Sequence, residues 1–153
     1  MIMKKRIVLL LIGITFFGVS CTKPEENTDP VAQLQTITQA LTTNPWKIDR
    51  ITDLSGNVIN TSNLPAESRA MFGVNIQFNE DKTVRAIDPT SKTIVNGGSW
   101  DLLDDQKALD INISQLKGKF PIVKLERSRM ILRNQVVFQG IGFDVNLELV
   151  PAL

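Results

Sequence analysis

The sequence predicts a mainly β protein: an antiparallel barrel, or else a sandwich, of about eight to nine strands, preceded by one short α-helix. Three observations predict it. From Trp46 onward apolar residues recur at every second position in short runs. Gly, Pro, Asn and Asp separate those runs at roughly even spacing. One earlier stretch, Val31 to Thr42, instead places Val31, Leu34, Ile37 or Thr38, and Leu41 on one helical stripe.

The chain opens with Lys4-Lys5-Arg6 and an apolar run from Ile7 to Phe17. That order is a secretory leader, and the run is well short of the about 20 apolar residues that span a bilayer. Residues 1–20 are therefore expected to be a signal peptide. Val19-Ser20-Cys21 at its end resembles a lipobox of the signal-peptidase II type. The resemblance implies that Cys21 becomes the lipid-bearing first residue of the mature chain, anchored in the cell envelope. Cys21-Thr22-Lys23-Pro24-Glu25-Glu26 is similar to the Lys-plus-acidic signal of Bacteroidota lipoproteins displayed on the outer leaflet of the outer membrane, which implies an outer-membrane, surface-exposed location, with a periplasm-facing anchor as the alternative. Residues 21–28 are polar and read as a flexible tether, and 29–153 as one domain.

Within that domain Asp29 reads as an N-cap, Pro30 as the first helical residue, and Asn44-Pro45 as the stop. Trp46 to Asp49 alternates as a first strand, Ser55-Gly56-Asn57 interrupts it, and Asn60 to Ser68, carrying Pro65, reads as a loop. Val74 to Phe78 and Thr83 to Ile87 form a hairpin over the polar turn Asn79 to Lys82. Asp88-Pro89 breaks the chain before a strand from Thr93 to Leu102, in which Gly97-Gly98 suggests a bulge or sharp bend. Asp104-Asp105-Gln106 turns it again. Further strands are expected at Leu109 to Ile113, Ile122 to Glu126, Met130 to Arg133, Gln135 to Gln139 and Phe143 to Leu149. Gly140 and Gly142 read as hairpin-loop residues.

Composition removes several function classes. With no histidine, no tyrosine and one cysteine, the chain lacks a residue needed for Ser-His triads, Cys-His dyads and imidazole-based zinc sites. No cofactor is expected, and the protein is not expected to be an enzyme. The formal charge of +1 includes Lys4, Lys5 and Arg6. Without them the 17 basic residues fall to 14, against 16 acidic ones. That balance argues against a nucleic-acid partner.

The helical lead-in followed by Trp46-Lys47-Ile48, the hairpin Phe78-Asn79-Glu80-Asp81-Lys82-Thr83, Gly98-Ser99-Trp100-Asp101-Leu102 followed by Asp104-Asp105, and the pairing pattern of Ile122–Leu125 with Met130–Leu132 resemble the lipocalin-like, calycin-type domains of Bacteroidota lipoproteins. The resemblance covers residues 34–149. It implies an up-and-down antiparallel barrel of about eight strands and a non-catalytic role in holding a small apolar or amphipathic molecule.

Candidate ligand-lining residues are Trp46, Ile48, Ile76, Phe78, Trp100, Ile111 and Phe143. The two tryptophans serve equally as plugs of the barrel core, because large aromatics dominate small cores. Ile76, Phe78, Ile94, Leu109, Ile111, Phe143 and Val145 are expected to face inward. Asp101, Asp104 and Asp105 lack calcium-loop spacing and read as a solvated turn, so no metal ligands are assigned. Glu126 to Arg129 reads as a hairpin turn, with Arg127, Arg129 and Arg133 as an alternative anion-binding rim. The expected partners are the membrane, through the lipid, and a small apolar ligand. A second reading is an accessory lipoprotein docking an envelope protein.

Overall fold

The computed structural model describes residues 30–114, 116–138 and 141–152; the expected leader, Cys21 and the tether lie outside them. Helix α1 spans Pro30–Thr42. Eight strands follow: β1 Trp46–Thr52, β2 Asn75–Phe78, β3 Thr83–Ile87, β4 Ile94–Leu103, β5 Ala108–Ile113, β6 Leu116–Glu126, β7 Arg129–Phe138 and β8 Ile141–Pro151. Each pairs antiparallel with the next and β8 returns to β1, so the sheet closes as an up-and-down barrel. This is the expected helix-then-barrel fold, and the sandwich is excluded. The two strands expected at Met130 to Arg133 and Gln135 to Gln139 are one continuous β7, which brings the count to eight.

Period-two alternation sets the inside of the barrel. Trp46, Ile76, Phe78, Val84, Leu109, Ile111, Met130, Leu132, Val145 and Leu149 are fully or almost fully buried in one cluster. The rule fails where a strand carries an extra residue, because a bulge flips every side chain beyond it. Ile94 was expected inside and is 55% exposed. The register passes from Ala86↔Asn96 to Ile87↔Ile94, so the extra residue Val95 turns Ile94 outward. Gly97-Gly98, by contrast, sits in unbroken register. Gly98 answers a different need: a Cβ there would lie 1.8 Å from the Asn112 carbonyl oxygen on β5, so only glycine lets the two strands approach.

Topology gives the barrel two unlike ends. One gathers α1 with the β2–β3, β4–β5 and β6–β7 turns. There Leu41 is buried, Ile37 packs beside the core, and the Trp46 indole Nε1–H donates to the Leu41 carbonyl at 2.9 Å. The Trp100 indole likewise donates to the Asn79 carbonyl at 2.9 Å and meets Phe78 edge-to-face at 5.7 Å. The Lys82 ammonium lies 4.2 Å from the Trp100 ring centroid and 3.2 Å from Asp101. Both tryptophans thus bury their rings while satisfying their only polar atom. Three successive left-handed residues, Asp104, Asp105 and Gln106, make the β4–β5 turn, a conformation in which Asp is among the better tolerated residues.

The other end is the mouth, where β8 outruns β1. β7 pairs with β6 only as far as Leu132, and β8 pairs with β1 only as far as Asn146. Beyond those points β7 and β8 pair with each other up to Phe138↔Ile141, a two-stranded ribbon at the rim.

On the outer wall Glu148 is 7% exposed, with Arg50 Nε at 2.8 Å, Arg129 also bonded to its carboxylate, and the Thr52 hydroxyl at 3.2 Å. This cluster ties β1, β8 and β7 together. Burial pushes the Glu148 carboxyl up, but the hydrogen bonds and charge of the two arginines, with Thr52, outweigh it and hold the group below the ordinary carboxylate range.

Candidate functional site: the capped barrel mouth

The mouth is covered by the connection between β1 and β2, residues 53–74. Its path is set by short polar side chains bonding to nearby backbone. The Asp53 carboxylate accepts from Ser55 N at 2.8 Å and Asn57 N at 2.9 Å, forming a turn with Gly56 at φ +89°. Ile59 N donates to Ile51 O at 2.9 Å, so the chain first runs back along β1. The Asn60 side chain then caps a 3-10 turn at Thr61–Asn63 by accepting from Ser62 N at 2.9 Å. Pro65 precedes helix α2, Ala66–Ala70, which runs into a second 3-10 turn at Met71–Gly73.

The loop expected from Asn60 to Ser68 is therefore a chain of single helical turns. Each is too short to leave a 3.6-residue repeat in the sequence. The lid holds to the barrel by apolar contact. Leu64 and Met71 are 8% and 4% exposed, and Phe72 and Val74 pack against the core.

Two spaces lie beneath this lid. A cavity of about 50 Å³ is bounded by Ile48, Ile51, Leu64, Met71, Leu147 and Val136, with Phe72, Leu116, Ser68 and Asn134 completing its wall. That is room for a water molecule or so. A cleft of about 240 Å³ lies toward β3 and β4, between Ala70, Met71 and Val74 of the lid and Ala86, Val95 and Asn96 of the wall. It is slightly smaller than the about 300 Å³ at which drug-sized sites begin. Among the described residues neither space is lined by a charged side chain. The arrangement can desolvate a small apolar group.

Of the candidate lining residues, Trp46, Ile76, Phe78, Trp100 and Ile111 are buried in the core and border neither space. Ile48 lines the smaller cavity. Phe143 keeps inward parity but is 36% exposed, because it stands on the ribbon at the rim; its expected place inside is corrected on that ground. Val74 opens the alternating run to Phe78, whereas the lid residues Leu64, Met71 and Phe72 carry no strand or helix period. The signal that finds them is length, since connections longer than about 12–15 residues inside compact domains are commonly functional loops.

The acidic residues are structural. The Asp101 carboxylate accepts from Leu102 N and pairs with Lys82, and Asp104 pairs with Lys119. Asp53, Asp81 and Asp88 fold their own turns, and the bonds from Asn57, Thr83 and Ser91 respectively lower their carboxyls. Among the described residues no group of three or more acidic, His or Cys side chains is placed to hold a metal. Arg129 is committed to Glu148, while Arg127 sits in the β6–β7 turn.

The chain matches no family model and no curated protein. Among solved structures it is similar to bovine odorant binding protein in complex with a selenium-containing odorant. The TM-score is 0.42 and the identity 18%, over 76% of this chain and 73% of that one.

Proposed function

We propose that this protein is a non-catalytic binding module, held at the outer membrane by lipid on Cys21, that takes a small apolar or amphipathic molecule in the barrel mouth. The observation that carries the reading is the 240 Å³ cleft with its apolar walls and its lid of single-turn helices. Below the lid the aromatic core is packed, so the ligand belongs to the mouth and not to the barrel centre. Competition against a hydrophobic fluorescent dye tests it. Small apolar molecules should displace the dye, and Val74→Asp or Ala86→Asp should abolish the displacement while the far-ultraviolet dichroism stays β. Equal dye binding by both variants sinks the reading. Metabolic labelling with a radioactive fatty acid tests the anchor, because Cys21→Ser should lose the label.

A second reading, an accessory lipoprotein that docks an envelope protein, is favoured by one observation. Leu54, Val58, Ile94, Val95, Val137, Ile141 and Phe143, seven of the eight exposed large hydrophobics among the described residues, lie at the mouth end. Exposed apolar surface gathered in one place marks interaction sites. A rim that releases no dye on ligand addition but buries Val137 and Ile141 against a partner would move the weight to this reading.

A further inference from the structure

The two spaces beneath the lid share one wall residue. Met71 borders both the 50 Å³ cavity on the β1, β7 and β8 side and the 240 Å³ cleft on the β3 and β4 side. It is 4% exposed, so solvent does not hold it in place; its neighbours do. It sits in a 3-10 turn of three residues, Met71–Gly73, whose last residue, Gly73, has no atom within 4 Å of where a Cβ would stand. A methionine side chain has three rotatable bonds and no branch, so it changes shape at low cost where a Leu or Ile would not.

We propose that the cavity and the cleft are two halves of one elongated site for an unbranched alkyl or acyl chain. Met71 is the gate between them, and its side chain sets how long a chain fits. This rests on the binding reading given above and names the class of ligand for the same mouth.

Shape decides the class. The 240 Å³ cleft alone could take a small ring, but a ring cannot pass a neck one side chain wide and so cannot use both halves. A linear chain threads a neck one side chain wide once Met71 swings aside. The walls agree, being apolar apart from Asn96 in the cleft and Ser68 and Asn134 in the cavity. With no charged side chain lining either half among the described residues, an ionised head group gains nothing inside and stays in water at the rim, because burying an unpaired charge is costly. The chain alone enters.

The test is a homologous series of linear primary alcohols, from butanol to dodecanol, titrated into the full-length protein and three variants. In the wild type affinity should climb about fourfold per added methylene, the increment expected from about 0.8 kcal/mol of burial, and then stop at a cut-off length. Met71→Ala removes three side-chain heavy atoms, so the cut-off should move outward by about three carbons. Met71→Leu, of similar volume, controls for general damage to the lid. It should keep the wild-type cut-off, with weaker binding of chains long enough to need the gate open. Met71→Trp should bind only the shortest members, because the halves stay separate. Cyclohexanol, which the cleft alone can hold, should bind wild type and Met71→Ala alike, with no gain from the opened gate.

If the wild type binds alcohols but Met71→Ala leaves the cut-off where it was, the gate is overturned while binding at the mouth stands. If no alcohol of any length binds wild type or Met71→Ala, the binding reading falls and takes the gate with it. Melting curves for each variant separate a lost gate from a lost fold.

Discussion

The two ends of the barrel are built from the same strands and differ in almost everything else. The closed end is filled by Trp46, Phe78, Trp100, Phe120 and Leu41, each buried, and both indole N–H groups find carbonyl partners. The mouth is covered by single helical turns over two unfilled spaces, with apolar side chains left in water around it. A barrel of about eight strands has an interior just wide enough to be filled by side chains or to hold one small ligand. This protein divides those outcomes along its axis, with stability concentrated at one end and space kept at the other.

That division predicts a gradient of mutational cost. Trp46→Ala, at the closed end, should show the largest effect, about 4 kcal/mol of folding stability in a urea titration; a loss under 1 kcal/mol there would break the comparison outright. Gly98→Ala, in mid-wall, should cost about 2 kcal/mol, because the added methyl collides with the Asn112 backbone, which cannot swing away as a side chain does. Glu148→Gln should cost about 1 to 2 kcal/mol, since Arg50 and Arg129 are partly exposed and water screens their loss.

The pH dependence of that last variant has a defined sign. The Glu148 carboxyl is lowered in the folded state, so its contribution is present above the ordinary carboxylate range and is lost as pH falls through the lowered value. Wild type and Glu148→Gln should therefore converge in stability on acidification below about pH 4.3. A gap that stayed constant down to pH 2 would show that the carboxylate's charge is not what the arginines hold. At the mouth Ile141→Asp should change stability by less than about 0.5 kcal/mol, as expected for an exposed site. A larger loss would mean that the apolar rim is part of the fold.

The same division explains what could be read from the residues alone. Alternation in Val74 to Phe78, Thr83 to Ile87 and Leu109 to Ile113 finds β2, β3 and β5 to within a residue or so, because one face of each is buried and the other wet. Alternation cannot announce its own interruptions. Val95 inserts one residue and puts Ile94 outside, and nothing in the order of residues separates that bulge from the Gly97-Gly98 pair, which has none. The candidate site was the least legible part. Five of the seven named lining residues follow the period into the core, away from both spaces, whereas Met71 and Phe72 reach the site from a segment whose turns last three to five residues. Residues placed by caps and turns leave no period to count.

Closing a sheet into a barrel removes its edges, and with them the unsatisfied backbone groups that recruit other strands. Here the stagger of the strands gives some of that back. Past Asn146 β8 has no stretch of β1 paired beside it, so it presents one short β edge that carries Ile141 and Phe143. An extended segment of another molecule could add to that edge without opening the barrel, pairing backbone to backbone while the rim side chains pack against it. The place where the fold is least finished is thus also where a second chain would cost it least to accept.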